Sequence, residues 1–432
     1  MWKNSYKKFF VPLIVSFLSI SLFSCSSDTS IVTPNRDNAH SMSTSSVDSD
    51  IVRYEQIIEE NPQTISPYTT LSSLYFQKIR ETADISYYET IEDLMDKAES
   101  IEANNPDILS ERAQIAIGRH DFRQWKEMIE KALLINPNRA MYYGILGDSD
   151  IELGFYSGAL DAIQKMIDIR PDYSSYIRVA YLRELYGDIQ WAREWLAMTI
   201  NAGSSNNENM AFAYTELGKL NLRNDFALAK TQFNAALEIR RDYPPALEWL
   251  GKIAYFEGNF SWAVSLFEKA YAKIPLVQYI VDLADIYTLS GDTIKANQNL
   301  TLAKISLDIA HKSWVNNDLE SSLFLSEHDM DLPAALEKAK KSYTERPNIY
   351  VADALSWALY KNQQIPEAVS YRKEIFRIWE NDATILYHQG MIALANGEKD
   401  LAKKYLSKAL SINPYFSLLE SQKTREVLKS LL

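Results

Sequence analysis

The 432-residue chain holds one cysteine, Cys25, so no disulfide can form within it. Its five histidines, His40, His120, His311, His328 and His388, are scattered, and no HExxH, CxxC or paired-histidine spacing joins them. There is no glycine-rich phosphate loop, and no serine sits on a strand-to-helix elbow. Basic residues are in deficit, 45 against 57 acids, for a net charge of −12. A body of that sign suits neither nucleic-acid phosphates nor an anionic lipid surface. Thirteen glycines and 14 prolines are too few for a low-complexity chain. The acids of "GDSDIELG" (147–154) lack the spacing of a calcium loop. "SEHDMD" (326–331) groups Glu327, His328, Asp329 and Asp331, and reads as a solvated turn inside a helical hairpin rather than a metal site, because zinc needs convergent ligands. The chain is expected to be no enzyme and to use no cofactor and no metal.

What is present begins at the N-terminus. Lys3, Lys7 and Lys8 precede an apolar run, Phe9 to Phe23, of 15 residues. That is short for a membrane span, which needs about 20, and it fits the core of a secretory signal. "LFSC", residues 22–25, resembles a bacterial lipobox, with Ser24 before the cysteine and a bulky Phe23 at the position before that. The resemblance implies cleavage after residue 24 and lipidation of Cys25, which would hold the protein in the bacterial cell envelope. Ser26 leans towards the outer membrane, with the body facing the periplasm. Residues 25–48 are serine-rich and too polar to pack, as a flexible tether would be.

A repeat fills the remainder. Ala159, Ala192, Ala229, Ala263, Ala296, Ala335, Ala368 and Ala402 recur at intervals of 33, 37, 34, 33, 39, 33 and 34 residues. The polar insert 201–209 accounts for the first long interval, and a lengthened helix near "KISLDIAHKSW" for the second. Around Ala159, Ala263, Ala296 and Ala402 similar residues return. In "ALEWLGKIAYFEGNFSWAVSLFEKAYAKIP" (246–275), Gly251 and Ala263 mark a close helix approach, Gly258 a left-handed helix stop, and Pro275 an exit. Trp191, Trp195, Trp249 and Trp262 read as packing residues.

The pattern resembles the tetratricopeptide repeat, a 34-residue helix-turn-helix, and covers nearly all of residues 51–432. It implies an all-α fold, an α-solenoid of about ten hairpins forming a right-handed superhelix. The hairpins start near 67, 106, 140, 173, 211, 244, 277, 316, 349 and 383. A lone helix capped by Ser49 or Asp50 precedes them. The solenoid is placed at 49–416 and a capping helix at 417–432, since end repeats would otherwise expose apolar faces. In such proteins the first helices line a concave face that binds a protein or peptide partner. Counting along the template puts Tyr181, Lys219, Lys252, Tyr255, Asp285, Trp357, Tyr360 and Tyr387 on that face, a mixture of aromatic and charged residues suited to an extended segment. The expectation is a membrane-anchored scaffold, serving in envelope assembly. The alternative is a SusD-like glycan-binding lipoprotein, a kind that builds its sugar site from large insertions.

Overall fold

The computed structural model describes residues 47–431 except 83, 205, 224, 313–314 and 379–381. The signal segment, Cys25 and almost all of the tether lie outside the described residues. Among the described residues there are helices and no strands, and no helix is long and apolar enough to cross a membrane.

A leading helix, α1 (Val47–Glu60), starts two residues before the expected cap, with Asp48 and Asp50 in its first turn, where acids face the positive helix end. Ten hairpins follow, as the repeat predicts. They are α2 (Ile65–Thr82) with α3 (Tyr87–Ile101), α4 (Pro106–Gly118) with α5 (Phe122–Ile135), and α6 (Ala140–Glu152) with α7 (Tyr156–Ile169). Then come α8 (Tyr173–Leu185) with α9 (Ile189–Ala202), α10 (Asn207–Asn221) with α11 (Phe226–Ile239), and α12 (Pro244–Phe256) with α13 (Phe260–Lys273). Next are α14 (Val277–Ser290) with α15 (Thr293–Lys312), and α16 (Asp318–Glu327) with α17 (Leu332–Glu345). In the ninth, α18 (Ile349–Lys361) pairs with a broken partner, α19 (Ile365–Ser370) and α20 (Arg372–Ile375). The tenth is α21 (Ala383–Ala395) with α22 (Lys399–Ile412), and α23 (Glu420–Ser430) ends the chain. The long interval between Ala296 and Ala335 is absorbed by α15, 20 residues where most second helices have 14.

The recurring small residues have the physical role their spacing implies. A Cβ at Gly251 would stand 2.9 Å from the Phe267 ring of the paired helix, so only glycine lets the two axes close to that distance. Gly258 has φ +82°, the left-handed conformation that ends α12. Ala159, Ala192, Ala229, Ala263, Ala335, Ala368 and Ala402 are wholly buried. A larger side chain there would force the pair apart.

The stack does not stay open. Apolar residues of α2 and α3, among them Tyr68, Leu71 and Met95, share one cluster with Val277, Ile280, Leu307 and Phe324 of α14–α16. Further along, Asn348 Nδ2 donates to the Glu152 carbonyl at 2.8 Å, and the Ile349 amide donates to the Tyr156 hydroxyl at 3.0 Å. Arg123 donates to the carbonyls of Thr344 and Glu345, and the Asn316 amide to that of Arg119 at 3.0 Å. These bonds span some 200 positions. The superhelix therefore curls until its second and third hairpins touch its eighth and ninth.

Candidate functional site

The inner wall of this curl encloses a concave cavity of about 380 Å³. Successive first helices contribute Tyr181 from α8, Lys219 from α10, Lys252 from α12 and Asp285 from α14. Sequence counting placed these four on the concave face, and the structure brings them together there.

The remaining four calls fall elsewhere. Trp357 and Tyr387 are 2% and 1% exposed, so the expectation that they face the groove is corrected. The reason lies in the C-terminus. After α22 the chain turns inward, and Phe416, Val427, Leu428 and Leu431 pack on the cluster that holds Trp357 and Tyr387. Phe416 meets Tyr387 with ring centroids 5.8 Å apart. Tyr415 reaches further, to Phe226 at 4.3 Å and Phe256 at 4.5 Å. The C-terminal segment thus lies in the concave face as well as ending the stack. Tyr360 is half-buried and stacks on Trp357 at 4.8 Å. Tyr255 is half-buried against Phe256. Neither lines the cavity. Trp191 and Trp262, read as packing residues, are 53% and 47% exposed, because they lie on the outer faces of second helices, where no further layer covers them.

The cavity wall is charged and unbalanced. Ten carboxylates line it, those of Glu152, Glu184, Glu216, Asp282, Asp285, Glu320, Glu327, Asp353, Asp382 and Glu420, against five cations, Lys219, Arg223, Lys252, Arg346 and the imidazolium of His388. Each lysine and arginine of the wall is paired with a carboxylate, and two of them with more than one. Lys252 Nζ lies 2.5 Å from Glu248 and 3.5 Å from Asp282. Arg346 reaches Glu152 at 3.2 Å and Glu320 at 3.5 Å. Lys219 pairs with Glu216 at 2.8 Å and Arg223 with Glu184 at 3.1 Å. The pairing leaves an excess of negative charge that burial makes costly. Burial pushes Glu152 up to about 7, against the opposing charge of Arg346. Burial raises Asp282 to about 8, although Lys252 opposes it. Glu216 is raised by burial as well.

A second group sits where α16, α21 and α23 meet. His328 Nε2 donates to the Asp285 carboxylate at 3.0 Å, and although burial disfavours its charge, Asp285 raises it to about 9. His388 is 1% exposed. Its Nδ1 lies 2.6 Å from Asp353 Oδ2, and its ring stacks on Trp357 at 4.2 Å. Burial works against the imidazolium, but Asp353 and Glu420 hold the proton on, up to about 10. Burial, together with the neighbouring Glu420, pushes Glu327 up to about 7. The reading of "SEHDMD" as a solvated turn therefore holds for Asp329 and Asp331, which have positive φ, but not for Glu327 and His328, which point inward.

Sequence reasoning missed Asp353, His388, Glu420 and Arg346. They come from different hairpins and the last helix, so no local spacing joins them. The one signal was polarity on a first helix, His388 in the apolar run "ILYHQGMIALA".

Residues 383–416 match the profile of a family described as tetratricopeptide repeat, the span of the tenth hairpin and its exit. No sequence among the curated proteins matches the chain. Among solved structures, the "APC/C hetero-tetramer Cut9-Hcn1" is similar at 14% identity over 89% of this chain and 67% of that one, with a TM-score of 0.46. Yeast Tom70 is similar at 14% identity over 89% and 92%, with a TM-score of 0.41. PilW, described as a widely conserved type IV pilus biogenesis factor, is similar at 16% identity over 46% and 92%, with a TM-score of 0.40. Among the described residues, the helix pairs and their stacking form an α-solenoid of tetratricopeptide-type hairpins.

Proposed function

We propose that the chain is a non-enzymatic scaffold, tethered to the cell envelope through Cys25, that holds a protein partner by a basic extended segment entering the concave cavity. The observation that carries this is the charge count of the wall, ten carboxylates against five cations with the His388 imidazolium included. Carboxylates raised by burial and by one another gain when a guanidinium or ammonium arrives among them. The volume sets the scale. About 380 Å³ lies at the lower end for ligand pockets, room for a few side chains rather than a docked helix. Tyr181, Trp249 and Tyr350 on the same wall supply flat faces for the stems of such side chains.

The test uses fluorescent peptides of equal length, one rich in lysine and arginine and one rich in aspartate and glutamate. The basic peptide should bind, more weakly as salt rises, and Glu184→Gln with Glu216→Gln should weaken it at least about tenfold. Equal binding of both peptides, or a soluble oligosaccharide that binds in their place, overturns the reading. Anchoring is tested separately: Cys25→Ser should take up no labelled palmitate, and normal labelling removes that part of the proposal.

A further inference from the structure

Glu327, His388 and Glu420 come from three elements far apart in sequence, the end of α16, the first half of α21 and the first residue of α23. Each offers one ligand atom, and these atoms lie within 4.8 Å of one another. All three residues border the cavity, which gives a route of entry and leaves one side of the group open. We propose that this group is a binding site for a divalent transition-metal ion such as zinc, held by His388 Nε2 and the two glutamates.

Two carboxylates side by side are no site in themselves. The histidine makes the difference. His388 Nε2 is buried, and its contact is a loose ion pair with Glu420 Oε1 at 3.4 Å rather than a formed hydrogen bond. That separation is long for a charge-assisted N–H···O bond, which runs about 2.7–2.9 Å. It is the separation of two donors that each sit about 2.1 Å from one tetrahedral ion, about 3.4 Å. The other face of the ring is already fixed. Asp353 Oδ2 holds Nδ1 at 2.6 Å, the carboxylate–histidine arrangement that orients a metal-bound imidazole and makes it a better donor. Trp357 stacked on the ring prevents it from turning. One nitrogen and two carboxylate oxygens form a mixed set suited to zinc, manganese or iron(II) more than to calcium, which prefers oxygen alone. The ion would take the place of the Nε2 proton among the same carboxylates, releasing that proton, and its remaining position would face the cavity.

Such an ion would also fasten the fold. Glu420 opens the helix that follows the inward-turning segment, so a metal would tie that helix to α16 and α21. This inference does not rest on the peptide reading, and metal binding is measured without any peptide.

The test is a titration of the full chain, stripped with chelator and purified in detergent, with Co2+ as the probe and Zn2+ as competitor. One equivalent of Co2+ should give visible ligand-field bands of a nitrogen and oxygen site, with no sulfur-to-cobalt charge-transfer band, and Zn2+ should displace it. Glu327→Gln and Glu420→Gln should each weaken binding at least about tenfold. Asp353→Asn should weaken it about 10- to 100-fold, as loss of an orienting partner does. His388→Gln should abolish the bands. If that last variant fails to fold, the two glutamine variants decide, with circular dichroism confirming their helices. Absence of a saturable cobalt spectrum overturns the proposal. So does a spectrum that survives unchanged in both glutamine variants, since the ion would then sit on other ligands.

Discussion

Arg346 meets Glu152 across 194 positions of the chain, with Nη1 3.2 Å from the carboxylate. The same guanidinium reaches Glu320 at 3.5 Å and lies 4.6 Å over the Phe122 ring. It is buried, and so are both acids. One cation therefore joins the third hairpin to the eighth, with an aromatic of the second beneath it. Removing one partner from a buried charge group leaves the others uncompensated, at about 3–5 kcal/mol. Arg346→Ala should lower the unfolding free energy by that amount and loosen the contact between the two ends. Denaturant unfolding measures the first, and small-angle scattering the second, as an increase in radius of gyration. A variant with normal stability and unchanged scattering would show that the apolar cluster of α2–α3 with α14–α16 holds the curl without it.

How much of this was legible follows from where each signal resides. The ten hairpins were, because small residues and helix stops recur at intervals near 34 residues, with alanine marking the interval where glycine is missing, as in the eighth and ninth hairpins. Tyr181, Lys219, Lys252 and Asp285 were, because they occupy one template position in regular repeats that nothing covers. Trp357 holds the same position in the ninth repeat and is core. What covers it is the segment after Asn413, and no pattern in the repeats says where a segment beyond the last one will lie. Closure was equally hidden. It rests on Asn348 with Glu152 and Ile349 with Tyr156, pairs with no periodic mark, and on the sum of small angular steps between hairpins.

Burial of Trp357 turns an aromatic of the concave template into a test of stability. Its ring stacks with Tyr360 and with His388 and meets Tyr387 at 5.7 Å. Truncating a buried tryptophan costs about 3–5 kcal/mol. Trp357→Ala should lower the thermal midpoint sharply, while Trp191→Ala on the outside should leave it nearly unchanged. Equal, small effects from both would mean that the C-terminal segment does not cover Trp357 in solution.

The glycine of the sixth hairpin gives a sharper steric test. The Phe267 ring stands against the bare face of Gly251, 2.9 Å from where a Cβ would be. The ring has no free space, since Phe267 is wholly buried. Gly251→Val should destabilise by about 1–3 kcal/mol through overpacking. Gly258→Ala, with nothing within 4 Å of its added Cβ, should cost less, and only through its positive φ. Midpoints of urea unfolding compare the two. A larger loss at Gly258 would mean that conformation, and not packing, limits the hairpin.

Glu111 supplies a pH dependence whose sign runs against the usual behaviour of carboxylates. It is buried on α4, where Ser72 donates to it at 2.7 Å. Burial pushes its pKa up to about 7, with Asp107 adding to the rise and Ser72 opposing it, from 4.5 for an exposed glutamate. Between those two values the folded chain binds more protons at this position than the unfolded chain. Stability contributed by the protonated group is therefore fully present below about 4.5 and is lost as pH rises through about 7. At 1.36 kcal/mol per unit the loss is on the order of 3 kcal/mol. Glu111→Gln keeps a neutral amide in the same space and removes the titration. The variant should match the parent near the acid end of that window and exceed it in unfolding free energy above it. Urea melts at a series of pH values measure the difference. A parent whose advantage over the variant grows with rising pH would show that the Glu111 carboxylate is stabilised in its charged form, the reverse of what its buried place on α4 implies.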